Sequence, residues 1–428
     1  MPMMLDRRSV LCGGLSALSL AALNAPALAQ ATRLRMIWWG SQERADRTNK
    51  AIAAFKTAKP DITIAGEFAG WSDYWPRLAT QVAGRNAPDI IQMDYRYIFE
   101  YARRGALAPL DDYLGKGLTI DDFGKPNIES GRIDGKLFGI NLGVNSSVVL
   151  YDKAAWEKTG VTPPSMGQTW EEFAENTIAF GKKKPKPGYF ATADASGLEP
   201  SFENYLRQNN KALFSADGQL GYEPADVAAW FKMWQDIRKS GGCVPADVQA
   251  LDQQNIESNA LTTGKAATAF AHSNQFVGYQ ALNKSKLSLT AYPRVGKSSP
   301  SGHYLKPSML MSVSATSTNP KGAVDFINFL VAKPEGVDLL GVERGVPAST
   351  AMRDQLTTKL DDVSKAMVEY IAAITPEVGP LPINPPQGAG ELAFVLTRVS
   401  QEVAFGRITP EEGGERMVTE AKRTLARK

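Results

Sequence analysis

Strand and helix patterns alternate from residue 34 onward, and this alternation constrains the fold more than any other feature of the sequence. Residues 34–39 are apolar and favour a strand, and residues 44–58 carry apolar side chains at helical spacing. Ile62, Ile64 and Phe68 then alternate as in a half-buried strand. A β-α-β-α order of this kind predicts a largely parallel sheet with helices on both of its faces.

The same pattern continues toward the carboxyl end. Residues 169–172 read Thr-Trp-Glu-Glu, a capping box that predicts the start of a helix. Residues 224–241 carry an apolar stripe that includes Trp230 and Trp234, which predicts a second buried helix face. Residues 136–151 consist of extended pieces broken by glycines, and we expect the chain to cross between two lobes there.

A chain of 428 residues is too long for one hydrophobic core and should divide into two domains. The predicted fold class is α/β, with each lobe a mostly parallel sheet flanked by helices and with crossing hinge segments between the lobes. The predicted amino-terminal lobe comprises residues 30–141 and 303–346. The predicted carboxyl-terminal lobe comprises residues 142–302 and 347–428.

Residues 1–29 have the composition of an export signal. Arg7 and Arg8 precede a short apolar run, and 27–29 reads Ala-Leu-Ala, which predicts cleavage after Ala29 and a periplasmic protein. The paired arginines are typical of the twin-arginine route. A membrane anchor is the alternative, but Gly, Ser and Asn residues interrupt the run before it reaches the ~20 apolar residues that a spanning helix needs.

Several kinds of chemistry have no support in the sequence, and we expect no cofactor and no metal. Only His272 and His303 are available, which is too few histidines for a zinc cage. Residues 291–298 resemble a phosphate-binding loop, but a proline and the absence of a following helix favour a surface turn. The adjacent carboxylates at 111–112 and 121–122 point to different sides. A formal net charge of +3 without a basic patch argues against nucleic acid.

Aromatic and polar residues occur together where predicted strands end, at residues 38–42, 70–75 and 93–96. Ligands of open α/β sheets bind at the carboxyl ends of the strands. A sugar offers an apolar face for stacking and hydroxyl groups for hydrogen bonds, so these clusters suit a saccharide. Trp71 is the strongest candidate for stacking, whereas one of the adjacent Trp38 and Trp39 should face the core.

Five segments together resemble the family 1 extracellular solute-binding proteins of ABC transporters, a carbohydrate-binding group that includes maltose-binding protein. They are residues 34–40, 87–94, 105–110, 134–140 and 345–348. The resemblance spans the predicted mature chain. It implies two α/β lobes that close over a ligand, and a membrane permease that recognises the closed form.

The resemblance also implies where the ligand binds. The expected contacts lie after predicted strands, on the crossing segments and just before residue 345, and His272, at a strand end, completes the set. They are Ser41, Gln42, Trp71, Asp94, Tyr95, Asn145, His272, Asn274, Ser308 and Arg344.

The predicted function is capture of a mono- or oligosaccharide by a monomeric, non-enzymatic subunit of an importer. Arg96, His272, Lys306 and Arg344 leave room for an acidic saccharide, although a neutral one is favoured. One alternative is a binding protein for a polyamine, a phosphate ester or another small solute. The other is a secreted carbohydrate-active enzyme, which needs two carboxylates across the cleft.

Overall fold

The computed structural model of the chain describes residues 32–427, so the predicted export signal lies outside the described residues. The helices of this part are α1 (Gln42–Ala58), α2 (Trp71–Ala83), α3 (Tyr95–Arg103), α4 (Lys125–Glu129), α5 (Lys153–Thr159), α6 (Trp170–Lys183), α7 (Glu199–Gln208), α8 (Pro224–Lys239), α9 (Ala246–Gln249), α10 (Phe276–Leu282), α11 (Pro320–Ala332), α12 (Pro334–Leu340), α13 (Thr350–Thr357), α14 (Asp362–Ile374), α15 (Ala389–Ala404) and α16 (Pro410–Leu425). Short 3-10 turns occur at Asp111–Tyr113, Ser273–Gln275 and Thr375–Glu377.

The strands are short except at the amino end. They are β1 (Thr32–Trp39), β2 (Ile62–Ala69), β3 (Ile90–Met93), β4 (Arg132–Ile133), β5 (Lys136–Leu137), β6 (Ile140–Asn141), β7 (Val144–Asn145), β8 (Ser147–Asp152), β9 (Thr268–His272), β10 (Leu287–Thr290), β11 (Lys306–Pro307) and β12 (Leu310–Val313).

The first lobe is built on a five-stranded sheet in the order β2-β1-β3-β12-β6. Strands β2 and β3 both run parallel to β1, as the β-α-β-α pattern predicts. Strand β12 comes from much later in the chain and runs antiparallel to both β3 and β6. The carboxyl ends of β1 and β3 therefore lie at one edge of the sheet, where Ser41 and Asp94 begin the next helices.

The second lobe is built on a three-stranded sheet in the order β10-β8-β9, and both of its pairings are antiparallel. The prediction of a mostly parallel sheet is therefore wrong for this lobe. Strand β8 enters directly from the first lobe and inserts between β9 and β10, which run in the opposite direction and are joined through α10. Within the described part of this lobe, parallel pairing is limited to isolated bridges, such as Phe190 with Ala266.

Three segments cross between the lobes side by side. Strand β7 pairs antiparallel with β11, and Val144 also pairs with Val346 through hydrogen bonds of 2.8 and 2.9 Å. Gly143 lies against this third segment, and a β-carbon there would stand 2.7 Å from the carbonyl oxygen of Val346. The close approach of the crossing segments therefore requires glycine at this position.

Each lobe has its own apolar core. One cluster packs β1, β3 and β12 against helices that include α1 and α11, and other clusters surround β8 and β9. The predicted two-lobe α/β fold is confirmed. The lobe boundaries at 141/142, 302/303 and 346/347 stay a prediction.

Several local predictions also agree with the structure. Thr169 and Glu172 form the predicted capping box at the start of α6, with backbone-to-side-chain bonds of 3.2 and 2.8 Å. Trp230 and Trp234 are fully buried on the predicted stripe of α8. Residues 291–298 form no helix. Among the described helices, none has both the length and the apolar character to span a bilayer.

Candidate functional site

A cleft of about 970 Å³, counting the part open to solvent, lies between the lobes. The first lobe contributes the residues that follow β1 and β3 and the start of α2. The second lobe contributes the end of β9 and the loops around residues 197–200 and 254–256, and the crossing strands form the base.

Seven of the ten predicted contact residues line this cleft. They are Ser41, Trp71, Asp94, Asn145, His272, Asn274 and Ser308. Ser41 and Asp94 are also the N-caps of α1 and α3. Their side chains accept hydrogen bonds from the backbone N–H groups of Arg44 and Arg96. The ends of two neighbouring strands therefore bring polar side chains to one place, as the strand pattern indicates.

Gln42, Tyr95 and Arg344 lie elsewhere. The exposed Gln42 donates through Nε2 to Asp46 at 2.8 Å, one turn along its own helix. Tyr95 faces a neighbouring cavity, where its hydroxyl lies 3.2 Å from Oδ1 of Asn384. These placements correct the sequence prediction for both side chains.

Arg344 also differs from its predicted place, because it is buried behind the cleft with 2% of its surface exposed. Its Nε donates to Oε1 of Gln92 at 3.2 Å, and one terminal nitrogen donates to Oγ1 of Thr48 at 2.8 Å. Burial lowers the pKa of Arg344 to about 9 despite the neighbouring Glu343. Arg344 therefore supports the cleft wall and does not line it.

One wall of the cleft is aromatic. Trp39 and Trp71 line it, with their ring centroids 5.2 Å apart in an edge-to-face arrangement. Trp75 packs behind both of them and stacks on Tyr97. Strand alternation turns Trp38 to the other face of the sheet, where it is buried beside Phe68, so the expected division between the two adjacent tryptophans is confirmed.

Four charged residues, which we call the charged quartet, form two ion pairs in the cleft. Lys306 pairs with Asp94, and Arg96 pairs with Glu199. All four side chains are at least largely buried. The second pair joins α3 of the first lobe to α7 of the second lobe, so it bridges the cleft.

The pairing sets the protonation of these groups. Burial opposes ionisation of Asp94, but Lys306 and Arg96 outweigh it and lower the pKa of this carboxyl. Burial would lower the pKa of Arg96, and Glu199 and Asp94 raise it above its ordinary value instead. For Glu199 burial outweighs the attraction of Arg96, and its pKa rises to about 7. The bridging carboxyl is therefore the one that titrates near neutral pH.

Two side chains of the cleft keep hydrogen-bonding atoms without a partner in residues 32–427. These atoms are Oδ1 of Asn145 and Nδ1 of His272. Burial, with a further contribution from the charge of Lys306, lowers the pKa of His272 to about 3, so its ring is neutral in neutral solution. A buried polar group without a partner is costly, and both of these side chains line the cleft.

A chain of hydrogen bonds fixes the amide groups from behind. Asn145 donates through Nδ2 to Oδ1 of Asn274 at 2.7 Å, and Asn274 donates to the carbonyl oxygen of Glu343 at 3.1 Å. Glu343 forms a buried pair with Arg44, whose guanidinium also donates to the carbonyl oxygen of Trp39 at 3.1 Å. The aromatic wall and the amide groups are thus held by one network.

Sequence reasoning missed Glu199 and Asn255, which the second lobe contributes to the cleft. Glu199 begins α7 and Asn255 lies in a loop, and neither residue follows a predicted strand. The one local signal for Glu199 is its place between Gly197 and Pro200, where a turn leads into a helix.

Comparison with known proteins agrees with this architecture. The sequence profile described as bacterial extracellular solute-binding protein matches residues 50–367. A binding protein of Brucella abortus is 24% identical over 409 residues, which is 93% of this chain and 94% of that protein.

Two solved structures are also similar. The extracellular solute-binding protein family 1 from Alicyclobacillus acidocaldarius is 31% identical, with a TM-score of 0.64 over 92% of this chain and 98% of that chain. A periplasmic oligogalacturonide-binding protein from Yersinia enterocolitica, in complex with saturated digalacturonic acid, is 24% identical, with a TM-score of 0.81 over 92% of this chain and 100% of that chain.

Two α/β lobes, three crossing segments and a polar and aromatic cleft between the lobes define a binding protein that holds a small ligand between its halves. The chain belongs to the bacterial extracellular solute-binding proteins. Members of this family are binding proteins.

Proposed function

We propose that this protein is the periplasmic substrate-binding subunit of an ABC importer and that its ligand is a saccharide. The observation that carries the proposal is the aromatic wall of Trp39 and Trp71 beside the partnerless atoms of Asn145 and His272. An apolar ring face can lie on the tryptophans while hydroxyl groups meet the amide and imidazole.

The charge balance of the cleft favours a neutral saccharide. Within the described part of the chain, three cationic side chains line the cleft, and each is already paired: Arg44 with Glu343, Arg96 with Glu199, and Lys306 with Asp94. An acidic ligand would have to displace a carboxylate from a buried pair, which is costly. A neutral sugar can accept hydrogen bonds from these paired groups and donate hydrogen bonds to them, and the ion pairs stay intact.

The alternatives from the sequence fit the same geometry less well. A polyamine needs free carboxylates and a phosphate ester needs free cations, whereas each residue of the charged quartet already has an ion-pair partner. A retaining or inverting glycosidase needs one carboxylic acid and one free carboxylate across the sugar. Asp94 and Glu199 each contact a cation, so neither is the free carboxylate that such an enzyme needs, and we propose binding without catalysis.

Ligand capture is proposed to proceed by closure of the lobes. The lobes contact each other directly beside the cleft: Ser72 Oγ donates to the carbonyl oxygen of Gln253 at 2.8 Å, and Tyr97 Oη donates to that of Gly390 at 3.0 Å. A ligand that contacts both lobes favours the closed form by its differential affinity for it. We propose that a membrane permease recognises that form, that the mature chain is a monomer, and that export depends on residues 1–29.

The test is a thermal-shift screen followed by calorimetry. The ligands are glucose, maltose, galacturonic acid, spermidine and glycerol 3-phosphate, and the galacturonic acid arm asks whether an acidic sugar related to the ligand of the Yersinia protein is accepted. A ligand that binds only the native state raises the melting temperature. We expect a shift with a neutral sugar and full recovery of that sugar after incubation. A shift with spermidine or glycerol 3-phosphate alone overturns the saccharide proposal, and consumption of the sugar overturns the non-enzymatic one.

A further inference from the structure

Helix α3 of the first lobe docks on the beginning of α15 in the second lobe. The hydroxyl of Tyr97 donates to the carbonyl oxygen of Gly390 at 3.0 Å. One turn further along α3, Oε2 of Glu100 accepts a hydrogen bond of 3.2 Å from the Gly388 N–H. We call these four residues the interlobe clasp, and none of them lines the cleft.

The interlobe clasp borders the cleft on both lobes. Trp71, whose ring centroid lies 6.1 Å from that of Tyr97, lines the cleft from the first lobe. Ala393, about one turn beyond Gly390 in α15, lines it from the second lobe. Moving the lobes apart across the cleft separates Trp71 from Ala393, and it therefore separates Tyr97 from Gly390 as well.

The close approach of the two helices requires glycine at residue 390. A β-carbon there would stand 2.1 Å from Cε1 of Tyr97, a separation that β-carbons essentially never show. The Tyr97 ring cannot easily move aside, because it stacks on the buried Trp75 with the ring centroids 3.5 Å apart. Glycine is a poor helix former, so its place in the first turn of α15 is explained by this contact and not by the helix itself.

Glu100 supplies the cap that α15 lacks in its own sequence. The N-cap residue of α15 is Gly388, which has no side chain, whereas α6 is capped by its own Thr169. The first N–H groups of a helix carry partial positive charge, and a carboxylate beside them is stabilising. Because this carboxylate belongs to the opposite lobe, α15 loses its cap when the lobes separate.

We propose that the interlobe clasp sets the ligand affinity from outside the cleft, by stabilising the form in which the lobes are together. Tyr97 and Glu100 are thus positioning residues, which act on the ligand through the placement of the lobes. The inference rests on the proposed closure and identifies contacts that favour the closed form. A contact that raises the population of the binding-competent form strengthens the apparent affinity by the same factor.

The test uses two variants of the clasp, each with a matched control. Gly390→Ala places a β-carbon against Tyr97, and Gly296→Ala is its control, because a β-carbon at 296 would meet no atom within 4 Å. Glu100→Ala removes the cap of α15 and also the ion pair of Glu100 with Arg104. Arg104→Ala removes that ion pair alone and leaves the bond to Gly388.

Calorimetry measures the affinity of each protein for glucose, maltose and galacturonic acid. Small-angle X-ray scattering measures the radius of gyration of each protein without ligand, and melting temperatures verify that each is folded. We expect Gly390→Ala to weaken binding of the accepted saccharide by at least about tenfold and Glu100→Ala by at least about threefold. Both should have a larger radius of gyration than the original protein, whereas the two controls stay within about twofold of its affinity.

Affinities of Gly390→Ala and Glu100→Ala that equal those of their controls overturn the clasp inference and leave the saccharide function intact. If none of the three saccharides binds the original protein, the saccharide proposal fails and the scattering measurement decides on the clasp. Radii of gyration larger than those of the controls then support the clasp, and equal radii overturn it.

Discussion

Arg96 and Glu199 form an ion pair that joins the two lobes across the cleft. Arg96 lies in the first turn of α3 and Glu199 is the first residue of α7, so each belongs to the start of a helix in a different lobe. One residue beyond Arg96, the hydroxyl of Tyr97 donates to Gly390 in α15 of the second lobe. Helix α3 is therefore one of the places where the lobes contact each other directly, beside the cleft.

The first prediction concerns the pH dependence of stability through Glu199. Its pKa is raised from 4.5 to about 7 in the folded protein, so over this range the folded state holds a proton that the unfolded state has released. Its contribution to stability is full below pH 4.5 and is lost as the pH rises through about 7. We expect the free energy of unfolding of the original protein to fall relative to that of Glu199→Gln between pH 5 and 8, measured by urea denaturation. Parallel pH profiles contradict this.

The second prediction concerns His272, whose effect has the opposite sign. Its pKa falls from 6.5 to about 3 on folding, so in this range the unfolded chain binds a proton that the folded one does not. Stability is therefore lost as the pH falls from 6.5 toward 3, with a slope of at most about 1.4 kcal/mol per pH unit for this one group. We expect His272→Gln to flatten the acid side of the stability profile. An unchanged slope shows that the ring is protonated in the folded protein.

The third prediction separates the cleft tryptophan from the core tryptophans. Trp71 is partly buried and lines the cleft, and we expect Trp71→Ala to weaken saccharide binding by about tenfold, or about 1.4 kcal/mol, through lost stacking. Trp234 is fully buried away from the cleft, and Trp234→Ala should cost about 3–5 kcal/mol of stability. Calorimetry measures the saccharide affinity of both variants, and urea denaturation measures their stability. The prediction is wrong if Trp71→Ala mainly loses stability and Trp234→Ala mainly loses affinity.

The fourth prediction concerns Asn145, whose Oδ1 has no partner in the described part of the chain. Asn145→Ala removes a hydrogen-bond acceptor from the cleft, and we expect about tenfold weaker binding of the accepted saccharide. Asn283 is a matched control, because its amide donates at 2.7 Å to Tyr279 of its own helix, outside the cleft. If Asn145→Ala and Asn283→Ala bind the saccharide with equal affinity, Asn145 does not contact the ligand.

The fifth prediction assigns Arg344 to the scaffold. Arg344→Leu leaves the buried Gln92 and Thr48 without their hydrogen-bond donor, and we expect a loss of about 2–4 kcal/mol in the free energy of unfolding. The saccharide affinity of the remaining folded protein should change less than threefold, or about 0.7 kcal/mol. Retained stability together with lost binding would return Arg344 to the ligand site.

The first lobe could be predicted from sequence because its signals are local. Strand β1, helix α1 and strand β2 follow one another within residues 32–69. In each element the spacing of the apolar residues shows which face packs against the core. The direction of β8 has no such signal. It depends on how the chain enters the second lobe through β7, and the antiparallel pairing with β9 and β10 follows from that path.

Some residues of the candidate site could likewise be placed from the sequence, and others could not. Ser41 and Asp94 could be placed because they follow strands whose ends meet at one edge of the sheet. Arg344 could not be placed, because its partners Gln92 and Thr48 lie 252 and 296 residues away in the sequence. Its charge suggested a ligand contact, and only the tertiary packing shows that it is enclosed.

Strand β12 lies between β3 and β6 in the first sheet, yet a ribosome makes it only after every strand of the second sheet. A nascent chain that has emerged as far as β10 therefore has β3 with an open edge and β6 without a neighbour in that sheet. The five-stranded sheet is therefore begun before the three-stranded sheet and completed after it. Until β12 has been made, the unpaired edge of β3 can pair with another chain, so this edge is exposed to aggregation during synthesis.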